Sequence, residues 1–139
     1  MASFVKVNSF VEALAEKVHN LGSDQLKIAL TNTDPTATAT NYASLTSPLA
    51  TTNLSGATPF NVTTSSSSQT SGTYKLVCAD LVLTATGAVG PFRYVVLYND
   101  TATSDELIGY YDYGSSISLA NTETFTIDFD AANGVLTSA

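Results

Sequence analysis

Near the N-terminus, the apolar residues recur at the spacing of one helical face. They form a single stripe between charged and amide residues: Phe10, Val11, Leu14, Val18 and Leu21. Ser9 and Glu12 match the capping box that begins many helices, because each side chain can bind a free backbone N–H there. Gly22 is well placed to end the helix. The pattern predicts an α-helix from about Ser9 to Leu21, packed on a sheet by one face.

Beyond Gly22 the apolar residues alternate with polar ones, which is the pattern of a half-buried strand. This strand runs through Leu26, Ile28 and Leu30. We expect it to end before Pro35, because proline has no N–H to donate to a strand ladder.

A long segment of weak pattern follows, from Asn32 to Gly72. It is rich in Thr, Ser, Asn and Ala, and it is much longer than an ordinary loop of a compact domain. Two interpretations stay open. The segment holds short strands that the pattern does not reveal, one of them near Pro59–Thr64, or it is an extended arm lying on a neighbouring subunit. The Ser65–Ser68 run within it is typical of a flexible loop tip.

The second half of the chain is dense in strand signals. The predicted strands are Thr73–Thr84 with a bulge at Ala79-Asp80, Phe92–Tyr98, Glu106–Tyr113, Ser116–Leu119, Phe125–Phe129 and an edge pairing at Val135-Leu136. Gly87, Gly90 and Pro91 predict a turn, and Phe92–Tyr98 is apolar on both faces, as a central strand would be. We therefore expect a single mainly β domain over residues 1–139. Its predicted form is an antiparallel β-sandwich or jelly roll of about seven or eight strands with the N-terminal helix.

Charge narrows the classes of partner. The chain has 139 residues, 12% of them charged, only five Lys and Arg, and a net charge of −7. That balance argues against nucleic acid and anionic membrane as partners. No apolar run approaches the ~20 residues of a membrane span, and the N-terminus lacks the apolar stretch of a signal peptide. We expect synthesis and folding in a cytosol.

Few residues could carry catalysis or bind a metal. Cys78 is the one cysteine, in a strand-like context that favours a buried, inert thiol, and His19 is the one histidine, expected at the surface in the last helical turn. Asp112, Asp128 and Asp130 are interpreted as a solvated face, because no calcium-binding motif surrounds them. We expect no enzymatic activity, no catalytic or metal site and no cofactor.

Three tyrosines form the candidate interface or ligand patch. Tyr111 and Tyr113 share one face of their strand and Tyr110 points to the other. Tyrosine rings near carboxylates can stack on sugars, whereas tyrosines are also common in cores and protein interfaces. A glycan site, an interface and simple core packing all stay open here.

Several stretches resemble small virion proteins of tailed bacteriophages. They are Lys17-Val18-His19-Asn20-Leu21-Gly22, Leu26-Lys27-Ile28-Ala29-Leu30-Thr31-Asn32, Ser71-Gly72-Thr73-Tyr74-Lys75-Leu76, Gly90-Pro91-Phe92-Arg93-Tyr94, Leu97-Tyr98-Asn99-Asp100-Thr101, Leu107-Ile108-Gly109, Tyr113-Gly114-Ser115 and Glu123-Thr124-Phe125-Thr126.

The resemblance implies a capsid decoration (cement) protein that is made in the host cytoplasm and sits on the outer capsid surface. It also implies the major capsid protein as partner and a homo-oligomer, with a trimer favoured by analogy with threefold capsid positions. The alternative is a receptor- or carbohydrate-binding module of a phage fibre or tail component.

Overall fold

The computed structural model describes residues 2–139 and is mainly β, with 46% strand and 7% helix. Its elements are β1 Phe4–Lys6, α1 Phe10–Ala15, β2 Leu26–Thr31, a 3₁₀ turn Tyr42–Ser44, β3 Asn61–Val62, β4 Thr64–Thr70, β5 Thr73–Cys78, β6 Leu81–Thr84, β7 Val89–Asn99, β8 Leu107–Leu119, β9 Thr124–Ile127 and β10 Leu136–Ser138. All the strand pairs are antiparallel. The prediction of a mainly β, antiparallel chain is confirmed.

The largest sheet has five strands in the order β1-β8-β7-β2-β3. Strand β7 lies between β2 and β8, and its run from Tyr94 to Asn99 is buried throughout. An apolar strand with both faces covered belongs at the centre of a sheet, so the prediction for Phe92–Tyr98 is confirmed.

Two smaller sheets complete the fold, with the orders β10-β5-β4 and β6-β9. Side chains from all three sheets belong to one hydrophobic core. The largest completely buried ones are Phe10, Phe92, Phe129, Leu26, Ile28, Leu30, Leu76, Leu83, Leu97, Leu107, Ile108 and Ile127.

The N-terminal helix is shorter than the periodicity predicts. It ends at Ala15, and Lys17 adopts a left-handed conformation with φ of +70°. Ser9 makes no side-chain capping bond, and Val11 is 53% exposed. The chain leaves the helix early, and the turn that follows places Leu21 in the core. The prediction of a helix to Leu21 is wrong over its second half.

Most of the Asn32–Gly72 segment is bonded to its own chain. Asn8 N–H donates to the carbonyl of Ala37, and Leu49 N–H donates to that of Leu30, both at 2.8 Å. Five of its side chains are buried in the core: Ala39, Leu45, Leu54, Phe60 and Val62. The segment also contains β3 and β4. Its order therefore needs no neighbouring subunit, and the interpretation as hidden short strands describes it better than an extended arm.

The Ser65–Ser68 run lies within strand β4 and not at a loop tip. Strands β4 and β5 form a hairpin closed by Ser71 and Gly72, which both have positive φ (51° and 83°). Such two-residue turns match the twist of a hairpin and set its register, so the turn and the pairing with β5 override the weak strand preference of serine.

The predicted strand Thr73–Thr84 is two strands in different sheets. The break falls at Ala79-Asp80, where a bulge was expected. Ala79 N–H donates to the carbonyl of Thr63, and the Asp80 carboxylate accepts the N–H of Phe129. In contrast, the two predicted strands Glu106–Tyr113 and Ser116–Leu119 join into the continuous β8.

Gly90 and Pro91 lie at the start of β7 and not in a turn. The φ of Gly90 is +119°, and a Cβ there would stand 2.8 Å from the carbonyl oxygen of Ile117 on β8. Glycine is needed here for both conformation and close approach of the two strands.

Candidate functional site

Strand β8 presents the tyrosine patch. Tyr111 and Tyr113 share one face, as predicted, with ring centroids 6.4 Å apart. The Tyr111 ring lies 5.1 Å from Phe4 and 6.1 Å from Phe129, and the Tyr113 ring lies 5.2 Å from Phe125. Tyr111 is only 4% exposed. Burial raises the pKa of the Tyr113 hydroxyl to about 12. Tyr111 is thus part of the core and offers no open ring for stacking, whereas Tyr113 packs against the core and stays partly exposed.

Tyr110 occupies the opposite face of β8 and is also buried. Its ring packs edge-on against Tyr94 at 6.2 Å. The Arg93 guanidinium lies 5.3 Å from the centroid of the Tyr94 ring and makes a two-point ion pair with Asp112. Its Nε and Nη2 donate to the two carboxylate oxygens at 2.8 and 3.1 Å.

The three aspartates considered for calcium each bind groups of the protein. The hydrogen bond from Arg93 lowers the pKa of Asp112, and the hydrogen bonds from Asn133 lower that of Asp130. Asp128 is exposed and accepts the N–H of Asp130. Within residues 2–139, no group of three His, Cys, Asp or Glu side chains is arranged to hold a metal ion.

His19 is buried, with 5% of its surface exposed, so the prediction of a surface position is wrong. The left-handed turn before it directs the imidazole inward, where it stacks on Phe10 at 5.3 Å. The Asn99 side-chain amide faces His19 Nδ1 at 3.0 Å and donates to Asp24 at 2.7 Å.

Asn99 is completely buried and its orientation is determined by its neighbours. Its carbonyl oxygen accepts the backbone N–H groups of Thr101 and Ala102 at 3.0 and 3.2 Å, so its NH₂ group must face the imidazole. His19 Nδ1 therefore accepts a hydrogen bond from the Asn99 NH₂ group, and the neutral ring carries its proton on Nε2. Burial lowers the pKa of His19, although the nearby Glu106 and Asp24 carboxylates oppose that shift.

An open pocket of about 560 Å³ lies beside this cluster. Its walls come from the end of α1, the following turn and the hairpin β4–β5, including Leu14, Leu21, Ser67 and Tyr74. The Ser67 and Tyr74 hydroxyls bond each other at 2.7 Å.

Cys78 is buried, as predicted. Burial raises the pKa of its thiol to about 11, which keeps it protonated and unreactive at neutral pH.

One long stretch of the chain is free of charged residues. Between Asp34 and Lys75 the sequence has no charged residue. Its backbone is held by the hydrogen bonds and buried side chains described above. Many of its hydroxyl side chains are exposed, among them Thr36, Thr38, Thr40, Ser44, Thr46, Thr51, Thr52, Thr58, Ser66 and Ser68. We call the exposed part of residues 35–74 the uncharged surface. Sequence reasoning noted the composition of this stretch but not that it would be an ordered surface.

Comparisons with known proteins give no match: no family model, no curated protein and no solved structure is similar to this chain. The one α-helix of the described residues has six residues, and no helix there is long and apolar enough to cross a bilayer.

Proposed function

We propose that the chain is a structural virion protein of a tailed bacteriophage, most specifically a capsid decoration protein. It binds the major capsid protein on the outer surface of the head and stabilises the shell. The assignment to tailed bacteriophages is supported by the resemblance of the stretches named in the sequence analysis to small virion proteins of these phages. The uncharged surface is the observation that carries the binding role.

The core of a protein–protein interface is depleted of charged residues, and the uncharged surface shares this feature, whereas its many serines and alanines are not an interface mark. The backbone of the uncharged surface is also ordered. Leu49 bonds to strand β2, and Leu54 forms an isolated β-bridge with Ala85. An ordered surface loses little conformational entropy on binding, so its hydroxyl and amide groups can contribute to affinity.

The acidic balance favours the outside of a head over the inside. A net charge of −7 with five cationic residues would be repelled by packaged DNA. The outer surface of the shell imposes no such penalty.

The finer architecture is part of the proposal. We propose that the sheets pack as a β-sandwich, a view supported by the single core to which all three sheets contribute. The threefold oligomer implied by the resemblance stays a prediction. The carbohydrate-binding alternative requires an exposed tyrosine ring to stack on a sugar. Tyr111 does not offer one, because it is buried against Phe4 and Phe129.

Immunogold electron microscopy of purified particles with an antibody to this chain tests the location. We expect gold over the heads. Gold confined to tails or fibres would support the alternative module, and particles without label would overturn the proposal.

Matched charge variants test the binding surface. The double variant Thr52→Glu/Thr58→Glu adds two carboxylates to the uncharged surface, and the control Thr103→Glu/Thr126→Glu adds two at exposed positions elsewhere. We expect only the first pair to weaken rebinding to heads stripped of the chain, by at least about tenfold. Equal effects of the two pairs would show that net charge, and not this surface, governs binding.

Deletion of Pro35–Gln69 is unsuited to this question, because it would remove β3 and most of β4 together with five core side chains. Ionic strength provides a further check. Binding through an uncharged surface should change little as salt rises from about 0.05 to about 0.5 M, whereas binding through ion pairs would weaken steeply.

A further inference from the structure

We propose that the outer edge of strand β4 pairs in antiparallel fashion with β4 of a second copy of this chain, across a two-fold axis at Ser67. This inference goes beyond the proposed function and does not depend on it.

Strand β4 has one paired edge and one open edge. Its register with β5 places Thr70 opposite Thr73 around the two-residue turn, which makes them a hydrogen-bonded pair. Bonding then alternates along the strand, so Ser68 and Ser66 direct their backbone groups toward β5 while Gln69 and Ser67 direct theirs outward. Within residues 2–139, these outward N–H and C=O groups have no protein partner.

The open edge is long and unprotected. Strand β4 has seven residues, whereas the other edge strands have two to four: β1, β3, β6, β9 and β10. Natural proteins protect exposed edges with charges, proline, a marked bulge or a covering segment. Strand β4 contains neither charge nor proline, and its one irregularity lies at its start, between Thr64 and Ser66. The remaining residues offer a regular template for another strand.

A second β4 is the strand that fits this edge. Centring the pair on Ser67 makes it opposite to itself and satisfies its outward N–H and C=O groups in both copies. Gln69 then stands opposite Ser65 of the second copy, the extra residue of the irregularity at the start of β4. The facing side chains are small hydroxyls or an amide, so no like charges meet. This matters because two copies that each carry −7 repel each other, and the uncharged surface is where they can approach.

The contact is small. One strand-to-strand edge buries much less than the roughly 1,000 Å² of a stable interface, so we expect a weak, concentration-dependent dimer. A high local concentration on a particle would favour it.

Sedimentation equilibrium of the full chain over a concentration series tests the pairing. Ser67→Pro removes an outward N–H and leaves the bonds of Ser66 and Ser68 to β5. Ser67→Ala keeps that N–H and loses only the hydroxyl bond to Tyr74. We expect the proline variant to raise the dimer dissociation constant at least about tenfold and the alanine variant to leave it within about twofold.

Cysteine cross-linking supplies a readout that does not depend on the folding of the proline variant. In the proposed pair, two Ser67→Cys residues stand about 5.5 Å apart between Cα atoms, within the range of a disulfide. Two Gln69→Cys residues, the matched control, stand four residues apart along the strands, about 13 Å. Cys78 is buried and need not be replaced.

We expect covalent dimers with Ser67→Cys under mild oxidation and none with Gln69→Cys. A chain that stays monomeric at the highest concentration, or equal cross-linking of both variants, would overturn the proposal. A trimer in which Ser67→Cys does not cross-link would overturn it as well.

Discussion

Asn99 makes its side-chain hydrogen bonds in a completely buried position, and Asn99→Ala tests the cluster around His19. Its amide nitrogen donates to Asp24 and His19, and its amide oxygen accepts from the backbone N–H groups of Thr101 and Ala102. The substitution thus removes the side-chain bonds by which Asn99 joins the turn after α1 to the turn after β7, and leaves the bonds of Gln25 to Asp100 and Thr101.

The magnitude follows from what each partner loses. A hydrogen bond to a charged group contributes about 1.5–3 kcal/mol, and half-buried Asp24 belongs at the lower end of that range. His19 Nδ1 would be left buried without a partner, at a cost of about 1–3 kcal/mol. The N–H groups of Thr101 and Ala102 lie closer to solvent and add little, because water can replace the lost acceptor. We expect a loss of about 3 kcal/mol in the free energy of unfolding.

Urea unfolding followed by circular dichroism measures this loss. With a slope near 2 kcal/mol per molar, the midpoint should fall by about 1.5 M. Asn121→Ala is the control, since Asn121 is exposed and makes no side-chain bond within residues 2–139, and it should change the stability by less than about 0.5 kcal/mol. A loss below about 1 kcal/mol for Asn99→Ala would refute the view that this network links the two turns.

Three further predictions concern single positions. Because burial lowers the pKa of His19 below its unfolded value near 6.5, the unfolded chain binds the proton more readily, so the free energy of unfolding should fall as pH drops below about 6.5. In His19→Gln that part of the pH dependence should vanish; an unchanged slope in urea titrations between about pH 5 and 7 would contradict it. Gly109→Ala should cost about 2 kcal/mol, because a Cβ would overlap the Phe4 ring and push β1 off β8; a thermal melt like the wild type's would argue against that contact. The Cys78 thiol should react with a disulfide reagent only after unfolding, and rapid reaction of the native chain would show that it is accessible.

Local patterns sufficed where a strand's burial is complete or strictly one-sided. The alternation at Leu26, Ile28 and Leu30 predicted the position of β2, and the apolar residues on both faces of Phe92–Tyr98 predicted the central strand. The prediction that β2 is half-buried is wrong, because Ala29 and Thr31 on its other face are buried too. These patterns work because they depend on which faces are covered and not on which segments cover them.

The failures arose where distant residues decide the outcome. Ideal periodicity continues beyond Ala15, but the left-handed Lys17 turns the chain so that His19 reaches Asn99, a contact between residues far apart in sequence. The two faces of the tyrosine patch were predicted correctly. The choice between core, interface and glycan site stayed open, because Phe129 and Phe4, which cover Tyr111, lie at opposite ends of the chain.

The uncharged surface shows why composition alone left two interpretations of residues 32–72 open. A segment with few large apolar residues buries little surface to offset an ordering cost of about 1–2 kcal/mol per residue, which made contacts with a neighbour one of the two interpretations. In the structure, widely spaced residues offset this ordering cost. Leu45, Leu54 and Phe60 are buried in the common core, and backbone hydrogen bonds, such as that from Ser55 N–H to the carbonyl of Thr84, order the stretches between them. The entropy is lost during folding, before any partner arrives. A partner that binds the uncharged surface therefore meets hydroxyl groups already in place, and even modest contacts there can add to affinity.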